Sequence, residues 1–266
     1  MNDIENFIVR QSYLDSLIKL SKLNFVKRIT GIRRSAKSFL LKMFRNYLLQ
    51  NGTKEDQIIF VDFELIQYQE LINSQKFITF IQSKITSENK YYLFIDEVQE
   101  LQDWAKIINT IRASYNCDIY ITGSNSKVFS GEHLTYLSGR YVQLNMFPLS
   151  LSEYLEFKKY SKDNAIKAFE EYLTYGAFPA VALVSDTSLA QTINSALFDS
   201  IFRRDIILRG KIKDTGNFIK TAKFVFDNIG SPISSNSISN TLKSQGHKVS
   251  VDAIDNYLKL MENAYI

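Results

Sequence analysis

Residues 25–44 read FVKRITGIRRSAKSFLLKMF, and the architecture of the chain turns on this stretch. An apolar, β-favouring run ending at Thr30 gives way to GIRRSAKS and then to a segment with helical apolar spacing. That strand, loop and helix order is the context a phosphate-binding loop requires. In such a loop the backbone N–H groups and the amino-terminal dipole of the following helix face phosphate oxygens. The candidate binding residues are Gly31, Ile32, Arg33, Arg34, Ser35, Ala36, Lys37, Ser38 and Phe39. Lys37 would reach the β- and γ-phosphates of a nucleotide and the Ser38 hydroxyl would bind Mg²⁺, while Arg33 and Arg34 add positive charge. The pattern GxxxxGK[ST] places glycine immediately before the lysine, and this chain has Ala36. A methyl group there crowds the loop or strains a backbone angle that glycine tolerates. Alone, the altered motif reads either as a phosphate site or as an ordinary strand-to-helix turn.

Working outward, short β-rich runs at 25–30, 58–63, 91–96, 118–122 and 141–146 alternate with helical patterns at 37–49, 69–85 and 104–113 and a short piece near 132–137. This alternation predicts an α/β core with a parallel sheet and crossover helices. The opening segment, 4–20, also reads as helix. After Pro148 the spacing turns almost purely helical, at 149–157, 165–175, 189–208 and 218–229. Two capped helices follow, one from Ser235 to a stop at Gly246 and one from Ser250, a pair similar to a helix-turn-helix or winged helix. The expected organisation is a core over 1–147, a helical lid over 148–213 and a winged-helix-like segment over 214–266.

Three further stretches carry chemistry. In YYLFIDEVQE (91–100) an apolar strand ends in adjacent carboxylates, similar to a Walker B motif. Asp96 would hold Mg²⁺ and Glu97 would polarise the water that attacks the γ-phosphate. In DIYITGSNSKVF (118–129) polar residues close a strand, at the end where open α/β sheets bind ligands. Ser124 or Asn125 would sense the γ-phosphate, or the segment is a plain Gly-Ser-Asn turn. In LSGRYVQLNMFPLS (137–150) Arg140 opens the last strand, either as a finger reaching a neighbouring copy's phosphates or as a surface arginine.

Taken in order, GIRRSAKS, LFIDEVQE, ITGSNSKVFSGE, LSGRYVQLNMFPLSLSEYL and YLTYGAFPAVAL resemble a large family of prokaryotic AAA-type ATPases over nearly the whole chain. That family is similar to the archaeal and origin-recognition branch of the AAA superfamily, with a winged helix and a restriction-nuclease-like carboxyl-terminal domain. The resemblance implies a P-loop NTPase sheet of order 5-1-4-3-2, with ATP or ADP and Mg²⁺ as cofactors. It makes Lys37 and Ser38 nucleotide ligands, Asp96 and Glu97 the Walker B pair, Ser124 and Asn125 the sensor region, and Arg140 a candidate finger in a homo-oligomer. Ala36 departs from the family pattern, as does Ala177, where a glycine commonly follows Gly176. The sequence stops at Ile266, where family members continue into the wing and the nuclease-like domain, so it reads as a fragment or a naturally short member.

Composition narrows the alternatives. The 266 residues are 45% hydrophobic, enough for a large core, and the formal charge of +4 falls short of the basic stripe that marks a nucleic-acid binder. Cys117 is the sole cysteine and reads as a core residue; with His133 and His247 it cannot build a structural zinc site. No basic start with an apolar run marks a signal peptide, and no apolar stretch is long enough to span a bilayer, so the expected location is cytoplasmic, without a membrane partner. Residues 250–266 carry Asp252, Asp255 and Glu262 against Lys259, a net −2 that phosphate would repel, which favours packing or protein contact over DNA. The run FRRDIILRGKIK (202–213) is more basic and reads as a solvated face or as a phosphate contact. The leading expectation is an ATP-hydrolysing enzyme that moves its helical region. The alternatives are a nucleotide-controlled protein- or DNA-binding module with little turnover, and a DNA-binding regulator with a decayed loop.

Overall fold

Five strands form one sheet in the computed structural model, which describes residues 8–124 and 136–266: β1 Val26–Thr30, β2 Ile58–Asp62, β3 Tyr91–Asp96, β4 Cys117–Gly123 and β5 Tyr141–Asn145. All four pairings are parallel, and the order β2-β3-β4-β1-β5 is the expected 5-1-4-3-2 counted from the other edge. β1 is buried along its whole length, as a central parallel strand covered on both faces must be. Its Lys27 pairs there with Asp118 and donates to the Leu23 carbonyl at 2.7 Å, and Asp118 also accepts from the Tyr120 hydroxyl at 2.8 Å.

Helices cover both faces. α1 (Gln11–Leu20) and α2 (Lys37–Gln50) pack Leu17, Leu40, Leu41 and Phe44 against Ile29, Phe94 and Tyr120. α3 (Ser74–Lys84) and α4 (Trp104–Ser114) pack Phe77, Ile81, Trp104 and Ile108 against Val61, Leu93, Ile95 and Ile121. Each such side chain stabilises the fold by about 1.5–3 kcal/mol. That easily outweighs a few left-handed loop residues at about 1–2 kcal/mol each.

Two expected helices differ. The single helix at 69–85 is a 3-10 stretch, Ile66–Ile72, followed by α3, because the Asn73 side chain accepts from the Gln75 and Lys76 N–H groups and starts a new helix. Among the described residues the opening helix begins at Gln11, since Arg10 leaves helical geometry with φ −81° and ψ 80°; the expected stretch 4–7 lies outside them. Asn125, His133 and most of the short helix expected near 132–137 lie outside the described residues. Cys117 is half-buried against the α3 and α4 face, and burial pushes its thiol up to about 12.

By compactness the chain divides into residues 1–193 and 194–266. The first unit adds α5 (Leu151–Lys158), α6 (Ala165–Tyr175) and the short α7 (Pro179–Ala182), joined through Tyr154, Phe157, Ala168 and Ala182. Helix α8 (Thr187–Asp199) continues into a π-helical stretch, Ser200–Leu208. The second unit contains α9 (Thr215–Asp227), α10 (Ser235–Ser244) and α11 (Val251–Asn263), with ring contacts Phe202–Phe218 at 5.7 Å and Phe218–Tyr257 at 5.5 Å. Ser234 and Ser250 cap α10 and α11, and Gly246 turns between them at φ 85°. Among the described residues of 194–266 no strand accompanies this helix pair.

Candidate functional site

The loop after β1 lies at the carboxyl end of the sheet. Gly31, at φ 140°, is pressed against β5's end: a Cβ there would stand 2.0 Å from the Met146 carbonyl oxygen. Farther on, Arg34 (φ 67°) and Ala36 (φ 75°, ψ 31°) both take left-handed conformations on either side of Ser35. Successive turns of this kind gather backbone N–H groups into an anion-binding concavity. Ala36 therefore adopts the backbone for which the motif's glycine is suited, with its methyl group in place. Lys37 folds back into the loop, and its ammonium donates to the Gly31 carbonyl at 2.9 Å and the Ile32 carbonyl at 3.0 Å. Arg33 pairs with Glu64 at 2.9 Å.

The carboxylates come from the next strand but one. β3 ends at Asp96, and Glu97 turns the chain at φ 53° and ψ 55°. Thr122, at the end of β4, joins the two: its hydroxyl donates to Asp96 and accepts the Glu97 N–H at 3.0 Å. Glu97 Oε2 accepts from the Ser124 hydroxyl at 3.1 Å and from the Gln99 amide. Burial raises Asp96 to about 6; the Ser38 and Thr122 hydroxyls bonded to it pull the other way, and the charges of Asp62 and Glu97 add to the rise. The Ser38 hydroxyl at the head of α2 thus stands near the Asp96 carboxyl at the tip of β3.

A cavity of about 320 Å³ opens over the loop, bordered by Arg33, Arg34, Ala36, Lys37, Ser38, Phe39 and Glu97. Its far wall is apolar, from Ile8, Phe157, Pro179, Ala180 and Leu183. The volume is at the lower end of the range for small-molecule sites, roughly 300–1,000 Å³.

The structure brings Lys37, Ser38, Asp96, Glu97 and Ser124 together. Gly31, Ile32 and Ser35 shape the loop rather than border the cavity. Arg140 is not part of this cluster. It precedes β5, where its carbonyl accepts from Val26 at the start of β1, and its guanidinium donates to Asn109 at 2.8 Å. The sheet end it occupies is the one opposite the loop. Sequence reasoning missed Thr122 as the residue joining the two carboxylates, although it stands in the quoted strand end. It also missed Arg10, Glu153 and the apolar wall, which come from segments distant in sequence, although Glu153, Pro179, Ala180 and Leu183 stand inside the quoted stretches.

This loop on this sheet defines a P-loop nucleotide-binding domain of the ATPase type. Residues 24–155 match the family model described as an AAA domain, and residues 166–266 match a second described as a domain of unknown function. Over residues 24–155 the chain is thus similar to the AAA domains of P-loop ATPases. An uncharacterised protein of Haemophilus influenzae is 42% identical over 97% of the chain and 65% of its own length. An uncharacterised protein of Methanocaldococcus jannaschii is 29% identical over 91% of the chain and 56% of its own length. The chain thus spans less than two thirds of both curated relatives. Among solved structures, the Walker-type ATPase of Pyrococcus abyssi superposes with a TM-score of 0.68 at 16% identity, covering 98% of this chain and 91% of that one, a likeness of fold.

Proposed function

We propose that the chain binds Mg–ATP in the cavity over the 31–38 loop and hydrolyses it. The observation that carries this reading is the convergence of the loop and the acidic strand end, with Ser38, Lys37 and Glu97 bordering one cavity and Asp96 joined to Glu97 through Thr122. A structural turn and an unrelated acidic strand end have no reason to converge so. One hydroxyl beside one carboxylate is an oxygen donor set suited to a cation that also binds phosphate. Ser38 and Asp96 would hold Mg²⁺, which when bound withdraws charge from the phosphate oxygens. The loop amides and Lys37 bind the phosphates, and the wall of Ile8, Phe157, Pro179 and Leu183 shelters a base. Glu97 orients the attacking water and receives its proton, with Thr122 and Ser124 fixing its backbone and side chain.

Isothermal titration with Mg–ATP and Mg–ADP, together with phosphate release, tests the reading. Lys37→Ala should abolish the heat of binding, whereas Glu97→Gln should retain it and lose turnover by about 10²-fold or more. Equal release from wild type and Glu97→Gln removes the enzymatic reading, and no heat from the wild type removes the nucleotide.

The second reading, a nucleotide-controlled binding module with little turnover, is favoured by the left-handed Ala36. Ala36→Gly distinguishes the two, since a large rise in turnover identifies the native loop as a brake. In either reading α5 and α7 supply walls of the cavity, so nucleotide acts on the 148–213 lid and through it on the 214–266 winged-helix-like segment. The setting we assign is cytoplasmic; no helix of the described residues is long and apolar enough to cross a membrane. Arg140 serves a neighbouring copy in a homo-oligomer, and the output is contact with a protein rather than DNA. DNA affinity that falls steeply with salt would reverse that last choice.

A further inference from the structure

Arg10 is 4% exposed, and every N–H of its guanidinium is engaged. Nε and Nη2 form a fork on the two Glu153 carboxylate oxygens, both at 2.8 Å, and Nη2 also donates to the Pro148 carbonyl at 3.2 Å. Nη1 donates to the Phe147 carbonyl at 2.7 Å and the Ser35 carbonyl at 3.1 Å. The guanidinium lies over the Tyr13 ring, 4.4 Å from its centroid, and the Tyr13 hydroxyl accepts the Phe147 N–H at 3.1 Å. One planar cation thus joins the phosphate loop, the end of β5 and the first turn of α5. A lysine, with three donors on a point charge, cannot reproduce the fork and the three carbonyl contacts together.

The Ser35 contact is the informative one. The peptide between Ser35 and Ala36 is trans, so its C=O and N–H point in opposite directions. Turning the Ser35 oxygen toward Arg10 fixes the opposite direction for the Ala36 N–H, while the Ala36 carbonyl is already committed to the Leu40 N–H at 3.0 Å. Ala36 and Arg10 border the cavity and Ser35 does not. Glycine adopts this turn freely, but alanine resists it.

We propose that Arg10 is a positioning residue that clamps the Ser35–Ala36 peptide with its N–H toward the phosphates, and so sustains a left-handed turn that alanine alone does not favour. The clamp rests on the nucleotide-binding reading for its purpose, but its action on the loop is a property of the protein without nucleotide. Glu153 holds Arg10 in place and ties the clamp to α5. Arg10 must therefore matter more with alanine at position 36 than with glycine there.

The test is a double-mutant cycle of wild type, Arg10→Lys, Ala36→Gly and the double variant. It is read by amide exchange of residues 31–40 without nucleotide, by thermal midpoint and by titration with Mg–ADP. Arg10→Lys should speed loop exchange and weaken Mg–ADP by about tenfold with Ala36 present, and by about threefold or less in the Ala36→Gly background. Equal losses in both backgrounds, or loop exchange unchanged by Arg10→Lys, would overturn the clamp, and a purely structural arginine would lower the thermal midpoint alike in both. Should Arg10→Lys fail to fold, Glu153→Gln takes its place in the cycle with the same expected dependence on position 36. Absence of heat from the wild type defeats the nucleotide reading alone, because exchange in the nucleotide-free protein still decides the clamp.

Discussion

Gly31 and Ala36 occupy one loop and respond oppositely to a methyl group. A Cβ at Gly31 collides with the Met146 backbone at 2.0 Å, with no flexible side chain to give way. Gly31→Ala should therefore unfold the chain or leave it without nucleotide binding, as circular dichroism and titration would show. At Ala36 the methyl group is already carried at φ 75°. Ala36→Gly should stabilise by about 1 kcal/mol, or roughly 2–4 °C in thermal midpoint, after the unfolded-state entropy of glycine is subtracted. Asp96 gives a pH dependence. Its folded pKa, about 6, stands above the ordinary 3.8, so ionising it costs the folded state. The cost is absent below 3.8, grows between 3.8 and about 6, and is constant above. Urea unfolding should show the stability of Asp96→Asn relative to wild type rising through that window to a plateau of about 3 kcal/mol. A difference flat with pH would mean that the carboxyl is not buried as described.

At the scale of elements, α5 is held by its first turn. Ser150 and Glu153 form a capping box, and Glu153 also receives Arg10. Burial alone would raise this carboxyl, but the Arg10 and Ser150 hydrogen bonds and the Arg10 charge bring it below 4.5. Its contribution is therefore complete above 4.5 and lost as pH falls through the lower folded value. Wild type and Glu153→Gln should differ in unfolding free energy at pH 7 and converge in acid. β2 and β3 are readable from the sequence because buried parallel strands are nearly continuous apolar runs, and the loop and carboxylate pair because motif residues adjoin strand ends. The break at Asn73 is not readable, since the apolar spacing runs through it and only a side-chain cap divides the helices. Arg10 is equally hidden: its partners at Ser35, Phe147, Pro148 and Glu153 meet only after the sheet has formed.

For the whole molecule, the site is built at one end of the sheet and Arg140 stands at the other, a strand length of roughly 15 Å away. Arg140→Ala should leave Mg–ATP affinity unchanged while removing the rise of turnover with protein concentration, by up to about 10³-fold at saturation. Turnover independent of concentration in both proteins would dissolve the assembly reading. The sheet order has one more consequence, for synthesis. β1 emerges first, yet both of its neighbours, β4 and β5, leave the ribosome about 100 residues later, a delay of roughly ten seconds at about 10 residues per second. Through that interval the nascent β1 has two bare edges. Lys27 and Arg28, buried in the finished protein, are then solvated gatekeepers that discourage the unpaired strand from joining another chain.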